Sequence, residues 1–340
     1  MSTTRKKADY VEKVAETLRA KFGSKAVTRL GTDDAKSEVT EVIPTGIAPL
    51  DHYLFACGGL PVGRMIEVFS DEGGGKSAFL LHCLAKTQEV GGLAVLAETE
   101  HAFRKERAET YGVVTPDLLL GDDLGYMENV LLWLETAIKT IPANVGPVLV
   151  SWDSLASTPT KREVEEGLDG GATIGERARL LSNAMRVIMP LIARKRVHFL
   201  IVNQTRMKIG VMFGPNTTTP GGAAVKFHAS MRIQLFTGKS TKDGREHAGK
   251  QVTFLALKTR FSPPWRKVQA HLDFTNGWDA DRTLLNFAKD KKLIPARSRS
   301  VPDALAACQA AKWSFVDTEE TVGDPPSQDD DPVEADEGGP

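Results

Sequence analysis

The chain has 340 residues, 41% of them hydrophobic and 26% charged, enough for about two domains of ~150 residues each; this excludes a disulfide-stapled miniprotein, wholesale disorder and a membrane class. Cys57, Cys83 and Cys308 show no CxxC spacing, no run approaches about 18 apolar residues, and the start MSTTRKKADY lacks an apolar signal segment, so a reducing cytoplasm is the expected compartment. The net charge of -1 is a cancellation, because 315–340 holds ten acids and no Lys or Arg, which leaves 43 basic against 34 acidic residues, a formal +9, for the rest.

In chain order, Val11, Val14, Ala15, Leu18 and Phe22 share one stripe at helical spacing, which predicts a helix over 6–22 ended by Gly23. A short apolar run, Ala26 to Leu30, and the polar stretch GTDDAKSE complete an N-terminal arm, residues 1–36, that needs a surface to pack on. Residues 37–270 alternate short apolar runs with helical patterns, the signature of βα units and a mostly parallel twisted sheet flanked by helices. The predicted strands are RMIEVF (64–69), LAVLA (93–97), PVLVSW (147–152), HFLIVN (198–203), MRIQLF (231–236) and VTFLAL (252–257). Helical periodicity runs through AFLLHCLAKTQEV, YMENVLLWLETAIKTI and RARLLSNAMRVIMPLIARKR. A small mixed α/β domain is expected over 271–314, with Lys289, Lys291, Lys292, Arg297 and Arg299 forming either a solvated helix face or a gateway for duplex DNA. Residues 315–340 read as an acidic disordered tail.

The chemistry starts directly after RMIEVF, at Ser70-Asp71-Glu72-Gly73-Gly74-Gly75-Lys76-Ser77, followed by Ala78 and an apolar helix. Strand, Gly-rich loop and helix make a P-loop: backbone N–H groups and the helix N-terminus surround phosphate oxygens, Lys76 adds a point charge, and Ser77 offers its hydroxyl to Mg²⁺. Ser70 stands where that pattern has its first glycine. Asp153, directly after PVLVSW, is the candidate carboxylate for the metal shell, expected to reach Mg²⁺ through water. After LAVLA, Glu98 and Glu100 lie two apart, and either could polarise a water attacking the γ-phosphate.

The block Asn203-Gln204-Thr205-Arg206-Met207-Lys208-Ile209-Gly210-Val211-Met212-Phe213-Gly214, with Thr217-Thr218-Thr219 and Gly221-Gly222, resembles the second DNA-binding loop of the bacterial RecA recombinases almost residue for residue. Further matching islands are Gly58-Gly59-Leu60-Pro61, Gly63-Arg64, Glu100-His101-Ala102, Ala184-Met185-Arg186 and Lys226-Phe227. The chain is thus similar to a divergent, phage-encoded or bacterial member of that family. The resemblance implies that Glu100 is the catalytic glutamate, that Gln204 contacts the γ-phosphate and couples it to the DNA loop, and that Lys258 and Arg260 reach the ATP of the adjacent protomer. It also implies a first DNA loop at EEGLDGGATIGE, with Ile174, Gly175, Arg179 and Arg186 in or beside it, and Arg107 where members carry a tyrosine over adenine.

Residue chemistry agrees for the second loop, since Arg206 and Lys208 can neutralise phosphates and Ile209, Val211, Met212 and Phe213 can pack on bases. The resulting expectation is a DNA-dependent ATPase of RecA-type fold, using ATP and Mg²⁺, that polymerises on single-stranded DNA and pairs it with duplex DNA. Phe227 and the N-terminal arm would form the filament interface. Two rivals are a non-catalytic RecA-like regulator or mediator and a ring-shaped motor of the same superfamily. The acidic tail either competes with DNA for the basic body or merely aids solubility.

Overall fold

Every apolar run predicted as a strand is one, and the reason is visible in which way alternate residues point. The computed structural model describes residues 3–24, 27, 39, 41–142, 145–167, 175–207, 217–243 and 246–315. They divide into units 1–40 and 41–340. In the first, α1 (Thr3–Phe22) starts earlier than its apolar stripe indicates and ends at Gly23, whose N–H returns to the Arg19 carbonyl at 2.8 Å. Tyr10, Val14 and Phe22 are exposed.

In the second unit, β1 (Val42–Ile43) pairs antiparallel with β2 (Leu60–Pro61) around a π-helical turn at Pro49–Leu54. Then follow β3 (Met65–Ser70), α2 (Lys76–Glu89), β4 (Leu93–Glu98), α3 (Lys105–Thr110), β5 (Leu118–Gly121), α4 (Met127–Thr140) and β6 (Val148–Asp153). The chain continues through α5 (Lys161–Glu166), α6 (Glu176–Lys195), β7 (Val197–Gln204), β8 (Arg206–Met207), β9 (Thr217–Thr218) and α7 (Gly222–His228). Last come β10 (Met231–Asp243), β11 (Glu246–Thr259), β12 (Lys267–Asp273), β13 (Gly277–Asp279), α8 (Ala280–Asp290) and α9 (Val301–Ala310). Among the described residues these build a nine-stranded sheet of order β13-β12-β11-β10-β3-β7-β6-β4-β5. It is parallel from β10 through β3, β7, β6 and β4 to β5, and antiparallel from β10 to β13.

Both faces are covered, which is why the central strands carry unbroken apolar runs. Ile66, Val68, Leu200 and Val202 enter one core with Phe79, Leu84, Phe254 and Phe287. Met65, Phe199 and Ile201, on the opposite side of the same strands, enter a second core with Leu134, Met185 and Ile188. Period-two alternation therefore feeds two helical layers, one with α2 and α8, the other with α4, α6 and α7.

The segment after residue 270 does not stand apart as a small domain. Strand β12 crosses that boundary and pairs along β11, while α8 and α9 contribute Leu284, Phe287, Ala304 and Cys308 to the first core. Nor is Lys291 on a solvated face: its ammonium lies 4.9 Å from the Tyr53 ring centre and 5.8 Å from that of Phe315. Such cation–aromatic contacts tie the end of the described chain to the turn at 49–54. The acidic run 316–340 lies outside the described residues. No described helix is long and apolar enough to cross a membrane.

Candidate functional site

The inner parallel strands deliver Ser70, Glu98, Asp153 and Gln204 to the same edge of the sheet. In open α/β sheets the carboxyl ends of strands are where ligands lie. Between Ser70 and α2 the chain makes a tight loop, and Gly75 caps the helix at φ +97°, a left-handed conformation that suits glycine. No side chain caps α2, so its first N–H groups and the positive end of its dipole remain directed at the loop.

Lys76 Nζ donates to the Ser70 carbonyl at 3.2 Å, the Ser70 hydroxyl at 3.1 Å and the Asp71 carbonyl at 2.9 Å. Burial lowers the lysine's pKa, against the neighbouring carboxylates of Asp153, Glu100, Asp71 and Glu72. A cleft of about 650 Å³ opens over the loop, lined by Glu72 through Ala78 together with Glu100, Arg107, Tyr111, Gln204, Lys250 and Phe274. Asp153 lines a narrower recess beside it with Ser77, Glu98 and Glu100. Ser70 and Asp71 sit behind the cleft wall as the lysine's acceptors.

Hydrogen bonding separates the two glutamates. Glu98 is buried and accepts from the backbone N–H groups of Glu100, His101 and Ala102 at 3.0, 3.0 and 3.2 Å, which makes it the brace of the turn after β4. Glu100 instead accepts through Oε1 from the Ser154 hydroxyl at 2.5 Å and from Gln204 Nε2 at 3.0 Å, and lines the cleft.

Burial, and next the nearby Glu100 carboxylate, push the Asp153 carboxyl up to about 7, against the hydroxyl of Ser77 and the ammonium of Lys76. Asp153 Oδ1 is buried without a hydrogen-bond partner. An orphaned carboxylate oxygen beside a serine hydroxyl is a hard, all-oxygen donor set, which fits Mg²⁺ arriving with phosphates and needing only one or two protein carboxylates. Bound there, the ion would neutralise phosphate charge.

From Gln204 the chain runs into the predicted second loop. Thr205 N–H returns to the Ser70 carbonyl at 3.2 Å and its hydroxyl donates to Asp71, so this loop and the P-loop start side by side. Arg206 and Met207 pair with Thr218 and Thr217 across the loop's neck. Lys208, Ile209, Gly210, Val211, Met212 and Phe213 lie outside the described residues, as does Ile174. Below the neck, Arg232 Nε meets buried Glu67 at 2.5 Å and its Nη2 reaches Thr219 at 3.2 Å, while Asn203 Nδ2 donates to Glu67 and to the Pro220 carbonyl, both at 2.9 Å. This network joins β3, β7 and β10 to the loop's returning leg. Gly221 and Gly222 have a packing role there: a β-carbon on Gly222 would stand 2.8 Å from the Ala178 side chain of α6. Gly175 caps α6, and Arg179 and Arg186 are exposed along it.

Lys258 and Arg260 do not line the cleft of their own chain. Lys258 Nζ donates to the Lys226 and Phe227 carbonyls at 2.7 and 3.0 Å, at the carboxyl end of α7, and Phe227 is 71% exposed. Sequence reasoning missed Lys250, whose ammonium donates to the Gly73 carbonyl from mid-β11, and the rings of Tyr111 and Phe274. No motif announces Lys250 or Phe274, because only tertiary pairing brings β11 and the end of β12 to the loop; Tyr111 follows α3, one turn after Arg107. Arg107 hydrogen-bonds Tyr111.

A mostly parallel sheet with helices on both faces and a Gly-rich phosphate loop at its carboxyl edge defines an α/β protein with a RecA-type core. A family model described as the RecA N-terminal domain matches residues 9–279. The chain is 36% identical over 295 residues to the protein RecA of Geobacter metallireducens, covering 86% of this chain and 84% of that one. It is 33% identical to the protein RecA of Thermotoga petrophila and 34% to the protein RecA 2 of Myxococcus xanthus, in each case over 86% of this chain and 80% of the relative. The chain belongs to the RecA family.

Proposed function

We propose that the protein is an ATP-dependent DNA strand-exchange protein that assembles into helical filaments on single-stranded DNA in the cytoplasm and pairs it with homologous duplex. The observation that carries this reading is the 3.0 Å hydrogen bond between Glu100 and Gln204, which joins the cleft to the strand entering the second loop. Family membership and the converging cations Lys76, Lys250 and Arg107 support a polyanionic nucleotide as the cleft's occupant.

In the proposed reaction, the α2 N-terminus and Lys76 hold the phosphates. Glu100 accepts a hydrogen bond from the attacking water as the water oxygen bonds to the γ-phosphorus and the bond to ADP breaks. Gln204 senses the γ-phosphate, and because it shares Glu100 with Ser154, its rearrangement would move the neck of the DNA loop. Tyr111 and Phe274 offer ring faces to the base. Lys258, at the carboxyl end of β11 and bonded to the carbonyl of exposed Phe227, and Arg260 just beyond it would act on the nucleotide of the adjacent protomer. Arg206, Met207, Lys208 to Phe213, Arg179, Arg186, Gly175 and Ile174 would face DNA.

The decisive experiment measures ATP hydrolysis with and without single-stranded DNA alongside electron microscopy. Stimulation together with open filaments is the expected result; absence of both would refute the reading, and closed rings would favour a motor.

A further inference from the structure

We infer that Ser70 and Gly74 form a compensating pair that positions Lys76: the serine side chain takes the volume a β-carbon at residue 74 would need, and its hydroxyl supplies the third acceptor of the lysine ammonium. The inference rests on the reading of the cleft as a nucleotide site and adds a positioning residue to it.

The three loop glycines are there for two reasons. Gly73 and Gly75 are fixed by left-handed φ values of +69° and +97°, and a β-carbon on Gly73 would meet nothing within 4 Å. Gly74 is not among the positive-φ glycines, so backbone conformation does not demand glycine there. Space does. A β-carbon on it would stand 1.9 Å from the Ser70 hydroxyl oxygen and 2.5 Å from the Ser70 β-carbon, well inside van der Waals contact.

Nor can Ser70 swing aside freely. It is 1% exposed, its hydroxyl donates to the Asp71 carbonyl at 2.7 Å, and the same oxygen accepts from Lys76 at 3.1 Å. An ammonium has three N–H bonds, and the three acceptors of Lys76 are the Ser70 carbonyl, the Ser70 hydroxyl and the Asp71 carbonyl. A glycine at position 70, as the P-loop pattern has it, would free the volume for a side chain at 74 and remove one acceptor. Residues 70 and 74 are therefore alternative owners of one space, and in this chain the owner also holds the lysine.

The test is a cycle of four proteins: the parent, Gly74→Ser, Ser70→Gly and the double variant, each read by melting temperature and by ATP affinity from equilibrium binding. Overpacking predicts that Gly74→Ser alone binds ATP at least ~10-fold more weakly and melts lower. The double variant should recover both. Ser70→Ala, which keeps the β-carbon and loses only the oxygen, should lower kcat about threefold while lowering the melting temperature by less than Gly74→Ser does. A Gly74→Ser protein that melts and binds like the parent, or a Ser70→Ala protein with the parent's kcat, overturns the proposal. If the parent itself neither binds nor hydrolyses ATP, the nucleotide reading falls instead, and recovery of the melting temperature in the double variant still decides the pair.

Discussion

The two ends of the same parallel strands are built for opposite purposes. At the amino end, closure of the buried strand starts is by backbone and neutral groups, with the Arg196–Glu41 pair on the surface: Gly63 N–H donates to the Val197 carbonyl at 3.0 Å, Phe199 N–H to the Arg64 carbonyl at 2.9 Å, and the His198 ring meets the Pro61 carbonyl at 2.8 Å. At the carboxyl end, Lys76, Glu100, Asp153 and Gln204 hold one another or the loop through side chains. Side-chain partners can be exchanged for substrate atoms without unpairing the sheet, whereas backbone partners cannot. One end is thus where chemistry can be altered at little cost to the fold, and the other is where the fold is sealed.

The sharpest way to break that contrast is at Glu100. Glu100→Gln should cut ATP hydrolysis by ~10²–10⁴-fold in a phosphate-release assay while leaving the melting curve close to the parent's. Between the two ends, Arg232→Met strands the buried Glu67 carboxylate, for which about 3–5 kcal/mol of stability should be lost in urea titration. The double change Glu67→Gln with Arg232→Met should recover part of it.

At the sealed end the signature is pH. Burial drives His198 down to about 4 from 6.5, so it stays neutral in the folded chain while the unfolded chain takes up a proton as pH falls through 6.5. Its contribution is therefore intact above 6.5 and is lost progressively between 6.5 and 4. Removing that group should make a His198→Gln protein lose about 2 kcal/mol less than the parent between pH 7 and pH 5, by chemical denaturation at both values. The smallest effect belongs to a site at neither end: Lys139→Ala, which removes an exposed helical pair with Glu135, should cost only ~0.3–0.5 kcal/mol.

The central strands and the phosphate loop were legible because each depends on local pattern: unbroken apolar runs, and glycines between a strand and a helix. Strand β5 was not, since Leu118, Leu119 and Leu120 form a short edge that stays partly or fully exposed. Strand β12 mixes Lys267, Gln269 and Asp273 with buried Val268, Ala270, His271 and Leu272, a polar-rich pattern that resembles the start of a separate domain. Glu98 and Glu100 could not be told apart by spacing, as the difference lies in three backbone N–H groups that turn back onto one of them. Lys250 carries no local signal at all. Its place at the phosphate loop follows from the pairing of β11 with β10 and β12.

Strand β7 ends in two adjacent amides that serve different masters: Asn203 holds Glu67 and the Pro220 carbonyl, and Gln204, opposite Ser70 in register, holds Glu100. Because consecutive strand residues face opposite ways, their order works as a ruler with a one-residue graduation. Lengthening β7 by a single residue would exchange the two amides' directions, turning Gln204 toward the ion pair and Asn203 toward the cleft. Every side chain would still be present, yet Glu100 would lose its partner on β7 and Glu67 its amide donor.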